Sequence, residues 1–269
     1  MRTEQDRLSQ LEQELERAGT VQSAFLPRPR LMTNVEVALN SVPANEVGGD
    51  ICDVFEADGG RTAVVVGDVS GKGVDAGLIS GIIYGAVHSS SWAASSFQHE
   101  DATERLNDLL RRKTSAERFA SLFWGYYEPE TSTFRYISAG HLPMFLVHGN
   151  DRDLRIDRLE KGGPVLGVVE WGNYQQGETR IEEGDLLILF SDGIAEAMNE
   201  AQEQFGEQRL LDVIRSFAEA SPSEMQAAIL AAVRDHCGKD RLPDDDQTLV
   251  VARFHHVFTE IATKIYAEA

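Results

Sequence analysis

Residues 61–73 read RTAVVVGDVSGKG. The segment opens on a short apolar run, Ala63 to Val66, which breaks at Gly67-Asp68 and enters a turn of small residues. A run this short, bounded by glycine, is the pattern of a buried strand. It leaves a carboxylate, Asp68, where the strand meets its turn.

The pattern extends in both directions. Upstream, VEVALNSV (35–42) reads as a strand. Downstream, 74–93 reads as a helix with Leu78, Ile82 and Val87 among its apolar positions. Its glycines, Gly77, Gly81 and Gly85, are expected to let it pack closely on a sheet. Residues 101–114 read as another helix. Strand-like segments follow at 121–128, 133–140, 144–150, 153–159 and 185–193, then helices near 206–219 and 222–236, and a last strand at 247–254. The spacing of the middle strands, about ten residues, favours antiparallel hairpins over βαβ units. Helices grouped around such a set predict an α+β layered fold.

The amino-terminal segment stands apart. Residues 3–24 carry Leu8, Leu11, Leu15 and Ala18 at spacings of 3, 4 and 3 on an otherwise polar background. That is a narrow apolar seam on a helix about 33 Å long. Pro27 and Pro29 end it. Two readings stay open: a helix lying on its own domain, or a seam that joins protomers or relays a signal. The last residues, 255–269, read as a terminal helix.

The composition removes several function classes. In 269 residues, 25 Lys and Arg stand against 44 Asp and Glu, a net −19. This disfavours sequence-independent nucleic-acid binding and docking on an anionic membrane. Cys52 and Cys237 are the two cysteines, which excludes a disulfide framework and a cysteine-rich zinc site. No apolar run approaches the roughly 18–20 residues of a membrane span. The polar start is not a secretory signal, so a cytoplasmic protein is expected. Ten acids and one base fall between Glu170 and Glu207, so the acidity concentrates around Asp192.

Four places put aspartates at the ends of apolar strands: VGGD ending at Asp50 with Asp53 close behind, VVGD at Asp68, LLILFSDG at Asp192, and PDDDQTLVV from Asp244 to Asp246. One such residue is ordinary turn chemistry. Four are harder to dismiss, because strand ends of one sheet converge on one rim, where bare carboxylates repel. Mg²⁺ or Mn²⁺ suits an all-oxygen donor set. Two such ions clamp a phosphoryl oxygen and activate a water, so phosphoester hydrolysis is the leading chemistry. A P-loop is excluded, since Val66 stands where that motif needs Gly and Gly73 where it needs Ser or Thr. The GGDIC of residues 48–52 lacks the Glu-Phe pair of the GGDEF signature.

Taken in order, GGDxxD, GDVSGKG, SAGHLP, GxxLG, GDLLILFSDGIxEA and DDQTLVV resemble the SpoIIE/RsbU-type branch of the PPM (PP2C-like) serine/threonine phosphatases. The likeness runs from about residue 18, in AGTVQSAFLP, to residue 254. It implies an α-β-β-α sandwich of two mainly antiparallel sheets flanked by helices. It also implies a division into a linker or dimerisation helix (1–30), a phosphatase domain (31–254) and a helical tail (255–269). Asp50, Asp68, Asp192 and Asp245 are implied as catalytic metal ligands acting through an activated water, with Val69 giving its backbone carbonyl. Asp53, Gly193, Asp246 and Thr248 are implied as neighbours of that set, and Asp244 reads as solvated. Cys52 stands where family members often carry an aromatic, and the surrounding carboxylates disfavour a thiolate there. His141 reads either as a proton donor or as a structural residue in a tight turn. Lys72 is the one base in the metal turn.

The expected activity is hydrolysis of phosphoserine or phosphothreonine on a protein with two Mn²⁺ or Mg²⁺ ions. The resemblance further implies a phosphorylated STAS-type anti-sigma-factor antagonist as substrate, in a partner-switching stress or developmental pathway. It implies an upstream sensor domain or activator, and a homodimer through the amino-terminal helix. Two other classes are weighed: a catalytically silent binding or switch module of the same fold, and a hydrolase of small phosphoesters or signalling nucleotides.

Overall fold

Val64 and Val66 face one core and Ala63 and Val65 another, so the strand around Asp68 is buried on both faces. In a computed structural model, residues 4–25, 32–90, 98–115, 117–149, 154–238 and 241–255 are described. The tail over 256–269 lies outside them.

The helices and strands, in chain order, are α1 (Glu4–Ser23), β1 (Val35–Val42), β2 (Ile51–Ala57), β3 (Arg61–Val69), α2 (Val74–His88), α3 (His99–Lys113), β4 (Ala120–Glu128), β5 (Thr133–Ala139), β6 (Met144–His148), β7 (Arg155–Leu159), β8 (Gly162–Gly163), β9 (Gly177–Arg180), β10 (Leu186–Phe190), α4 (Asp192–Ala195), α5 (Gly206–Ser216), α6 (Pro222–Cys237) and β11 (Gln247–Phe254). One sheet runs β1-β11-β10-β6-β7 and is antiparallel throughout. The other runs β2-β3-β4-β5-β8, with β9 also on β5; only β8 pairs in parallel.

Strand alternation divides the apolar side chains between two layers. Cys52, Val54, Phe123, Tyr127 and Phe134 turn inward toward Met144, Leu146, Leu187 and Leu189 of the facing sheet. Leu122, Trp124 and Ile137 turn outward beneath α2 and α3. Leu210, Ile214, Met225, Ile229 and Val233 cover the other outer face from α5 and α6. The result is the expected α-β-β-α sandwich.

Helix α2 corrects one expectation. Its buried face is Ala76, Ile79, Ile83, Tyr84 and Val87, at the spacing of one helical stripe. The glycine stripe points elsewhere. A Cβ on Gly77 would collide with Val47 and approach Gln22, and one on Gly81 would touch Phe25. Gly77 therefore admits Gln22 of α1 and the 46–49 loop, Gly81 faces Phe25 just beyond α1, Gly85 faces open space, and none of the three meets the sheet. Leu78 and Ile82 remain exposed.

Antiparallel pairing brings the aspartates to one rim. Gly67 at the end of β3 faces Ile51 at the start of β2, and Asp68 faces Ser121 at the start of β4. In the other sheet, Phe190 at the end of β10 faces Leu249 near the start of β11, and Ser41 near the end of β1 faces Thr248.

Candidate metal centre at the sandwich rim

Asp68 stands at the middle of the cluster. Its carboxyl is pushed up to about 7, first by burial and then by the charges of Asp192, Asp245 and Asp246. Its place depends on Gly49. A Cβ there would lie 2.8 Å from the Val69 carbonyl oxygen and 3.2 Å from Asp68 Oδ1. A glycine with no side chain thus lets both oxygens of the 68–69 step crowd against the VGGD turn. Gly48 does the same for the Asp246 carboxylate, whose Oδ2 occupies the space a side chain would take.

Asp192 opens α4 directly after β10. Burial, then Asp245 and Glu196, raise its pKa, and Lys72 lowers it. Asp245 is half-exposed, and Lys72 Nζ sits 3.2 Å from its Oδ1. The same ammonium donates to the Asp244 carbonyl at 2.6 Å. Asp244 is exposed and also pairs with Arg241.

Asp50 lies on the core side. Both its oxygens are buried and without a hydrogen bond among the described residues. Burial holds its carboxyl well above the usual carboxylate range; the nearby hydroxyls of Thr248 and Ser191 offset this in part, and Asp68 and Asp246 add to it. Those hydroxyls are bonded elsewhere, Thr248 Oγ1 to Ser41 Oγ at 3.0 Å and Ser191 Oγ to the Asp246 carbonyl at 3.2 Å. Leaving a buried carboxylate unpartnered is costly, and a cation is what its oxygens lack.

Asp246 itself is satisfied. It accepts the N–H groups of Ala44 and Gly49, both at 2.7 Å, and of Asp50 at 3.3 Å. It ties the strand-end turn of one sheet to the VGGD loop of the other. Gly193 is pressed against the Asp246 carbonyl, where no side chain fits.

The oxygens that the rim offers are the carboxylates of Asp50, Asp68, Asp192 and Asp245 and the Val69 carbonyl, all hard donors of the kind that suit Mg²⁺ or Mn²⁺. The placement is open: among the described residues no three His, Cys, Asp or Glu side chains stand close enough to hold an ion. Asp245 is drawn toward Lys72 instead.

Three other sequence candidates find different surroundings. Asp53 does not join the cluster. Strand alternation turns it to the helix side, where it is buried 2.8 Å from His88 Nε2. The Cys52 thiol lies in the core between the sheets, and burial and Asp50 push its pKa far up, so it is no nucleophile. His141 is buried, its ring nitrogens facing Ser121 and Phe190.

Gln22 is a contact the sequence did not single out. Its amide donates to the Gly48 carbonyl at 2.7 Å and to Ser80 Oγ at 3.2 Å, and accepts the Gly48 N–H at 2.9 Å. The end of α1 is thus fastened to the turn that carries Asp50. The signal was present in AGTVQSAFLP, where Gln22 is a polar residue amid small and apolar ones.

The family model of stage II sporulation protein E (SpoIIE) matches residues 58–255, well over half of the chain. The chain belongs to the SpoIIE family. Asp68, Asp192 and Asp245 fall within the matched span, and Asp50 and α1 precede it. Phosphoserine phosphatase RsbU of Bacillus subtilis (strain 168) is 30% identical over 195 residues, covering 71% of this chain and 56% of that protein. The SpoIIE-family chain described here thus spans little more than half of that relative's length. Among solved structures, the SiaA-PP2C domain of Pseudomonas aeruginosa aligns with a TM-score of 0.78 at 20% identity, covering 92% of this chain and 98% of that one. The catalytic domain of the serine/threonine phosphatase PstP, in complex with two manganese ions, aligns with a TM-score of 0.61 at 12% identity, covering 82% and 99%. These likenesses extend to the PP2C-like sandwich as a fold.

Proposed function

We propose that the chain is a metal-dependent protein phosphatase that hydrolyses phosphoserine or phosphothreonine. One observation carries the reading: both Asp50 oxygens are buried without a hydrogen bond among the described residues, beside Asp68, which burial and three neighbouring aspartates raise to about 7. The naming of RsbU as a phosphoserine phosphatase and the two manganese ions of PstP support it.

Two Mn²⁺ or Mg²⁺ ions would be held by Asp68, Asp192, Asp245, the Val69 carbonyl and, directly or through water, Asp50. Such ions supply an activated water and balance charge on the phosphoryl oxygens. The chain's part is to hold the oxygens in place. Asp246 fixes the VGGD turn, and Ser191 and Thr248 lock β10 to β11 beside Asp192. Lys72 brings a positive charge to the open side of Asp245, where a phosphate would approach.

The substrate reading is a phosphorylated STAS-type anti-sigma-factor antagonist in a cytoplasmic partner-switching pathway. Residues 31–254 form the phosphatase domain in this reading, with 1–30 as the linker or dimerisation helix and 255–269 as a tail. The exposed Leu8, Leu11 and Leu15 of α1, with Leu78 and Ile82 of α2, support a homodimer and an input from a sensor or activator. The test is phosphate release with Mn²⁺ from a phosphoserine-bearing STAS-domain protein and from a nucleotide panel. Turnover confined to the phosphoprotein is expected; turnover confined to nucleotides would overturn the substrate class.

A further inference from the structure

The carboxylates come from two sheets. Asp50 and Asp68 stand at strand ends of one, Asp192 and Asp245 at strand ends of the other. Neither hydrogen-bond ladder sets the distance between them, and facing sheets stand about 10 Å apart. Side chains that cross the gap must do so. Asp246 is one such link.

His141 is another. It follows β5, where Ser138 Oγ donates to the His141 carbonyl at 3.1 Å. Gly140, at φ 66° and packed tightly against Val165, turns the chain inward. The imidazole enters the gap between the sheets. Its Nδ1 lies 2.6 Å from Ser121 Oγ and its Nε2 3.3 Å from the Phe190 carbonyl oxygen. A carbonyl only accepts, so Nε2 carries the proton and Nδ1 accepts the Ser121 hydroxyl. Burial pushes the imidazole down to about 4, which keeps this one-donor, one-acceptor form at neutral pH.

The two partners are significant by position. Ser121 is the cross-strand neighbour of Asp68, on the same inward face. Phe190 is two residues before Asp192. With both ring nitrogens engaged, His141 presents no proton to the rim. We infer that His141 is a positioning residue, a pin between the sheets that sets the separation of Asp68 and Asp192 for metal binding. This rests on the metal-centre reading above. Ligands displaced by even about 1 Å bind and act poorly.

The test is calorimetric titration of Mn²⁺ into the full chain, alongside thermal melts in EDTA. His141→Phe keeps the ring and removes both hydrogen bonds. Its Mn²⁺ affinity is expected to fall on the order of tenfold, with His141→Gln, which can still donate toward Phe190, recovering part of the loss. Ser121→Ala breaks the same pin with little change of volume and should weaken Mn²⁺ in the same direction. A folded His141→Phe that binds Mn²⁺ within about twofold of wild type would overturn the inference. If that variant does not fold, unchanged affinity in Ser121→Ala overturns it. A wild-type chain that takes up no Mn²⁺ removes the metal-centre reading itself, which is a distinguishable result.

Discussion

The side-chain amide of Gln22 pairs with the backbone amide of Gly48, accepting its N–H at 2.9 Å and donating to its carbonyl at 2.7 Å. It is a direct hydrogen-bonded link between the exposed amino-terminal helix and the loop that carries Asp50. Gln22→Ala leaves a partly buried backbone pair unsatisfied, at about 1–3 kcal/mol. The expected outcome is local. Hydrogen exchange should rise in residues 44–50 and at the end of α1, and more Mn²⁺ should be needed for half-maximal activity. Exchange mass spectrometry checks the first; unchanged protection in both segments would contradict the coupling.

Asp68 sets a pH dependence whose sign follows from linkage. Its carboxyl is raised from an ordinary 3.8 to about 7, mainly by burial. Between those values the folded chain holds a proton that the unfolded chain has released. The contribution to stability is therefore full below the ordinary value and is lost as pH rises through about 7. Asp68→Asn is neutral throughout. In EDTA it should melt closest to wild type near pH 3.5 and above it by a growing gap up to pH 8, at roughly 2–4 °C per kcal/mol for a chain of this size. Mn²⁺ should then raise the wild type more than the variant. A gap that shrinks with rising pH would contradict this.

The apolar seam of α1 has a separate consequence. Leu8, Leu11 and Leu15 are all exposed, and α1 buries none of its residues. Replacing the three with Gln removes the seam and leaves Gln22 in place. Sedimentation equilibrium should show a dimer for the full chain and a monomer for the triple variant, with an unchanged melt of the domain. A full chain that is monomeric at all concentrations would count against the dimer.

Much of this was legible because apolar runs and their stops are local. Near the ends of β3, β10 and β11 the apolar runs give way to Asp68, Asp192 and the Asp244–Asp246 run, a pattern local enough to see in the sequence, whereas the choice of Asp245 within that run rests on the family resemblance. β2 was not read as a strand, because Asp53 and Glu56 interrupt it; Asp53 is accommodated by His88, which is 35 residues away in sequence. β8 and β9 have two and four residues and exist only as partners of β5. The glycines of α2 show the same limit. Periodicity defined a face, but which neighbour covered it was a tertiary fact. Lys72 meets Asp244 across 172 residues, a pairing no local window contains.

The most direct test of the central claim is hydrolysis of p-nitrophenyl phosphate by metal-stripped wild type and Asp68→Asn, each with Mn²⁺ and with excess EDTA. The expected result is turnover by wild type with Mn²⁺ alone. EDTA and Asp68→Asn should each reduce it on the order of a hundredfold or more, with the variant still folded. Full turnover by stripped wild type in EDTA, or by Asp68→Asn, would contradict the metal-dependent mechanism.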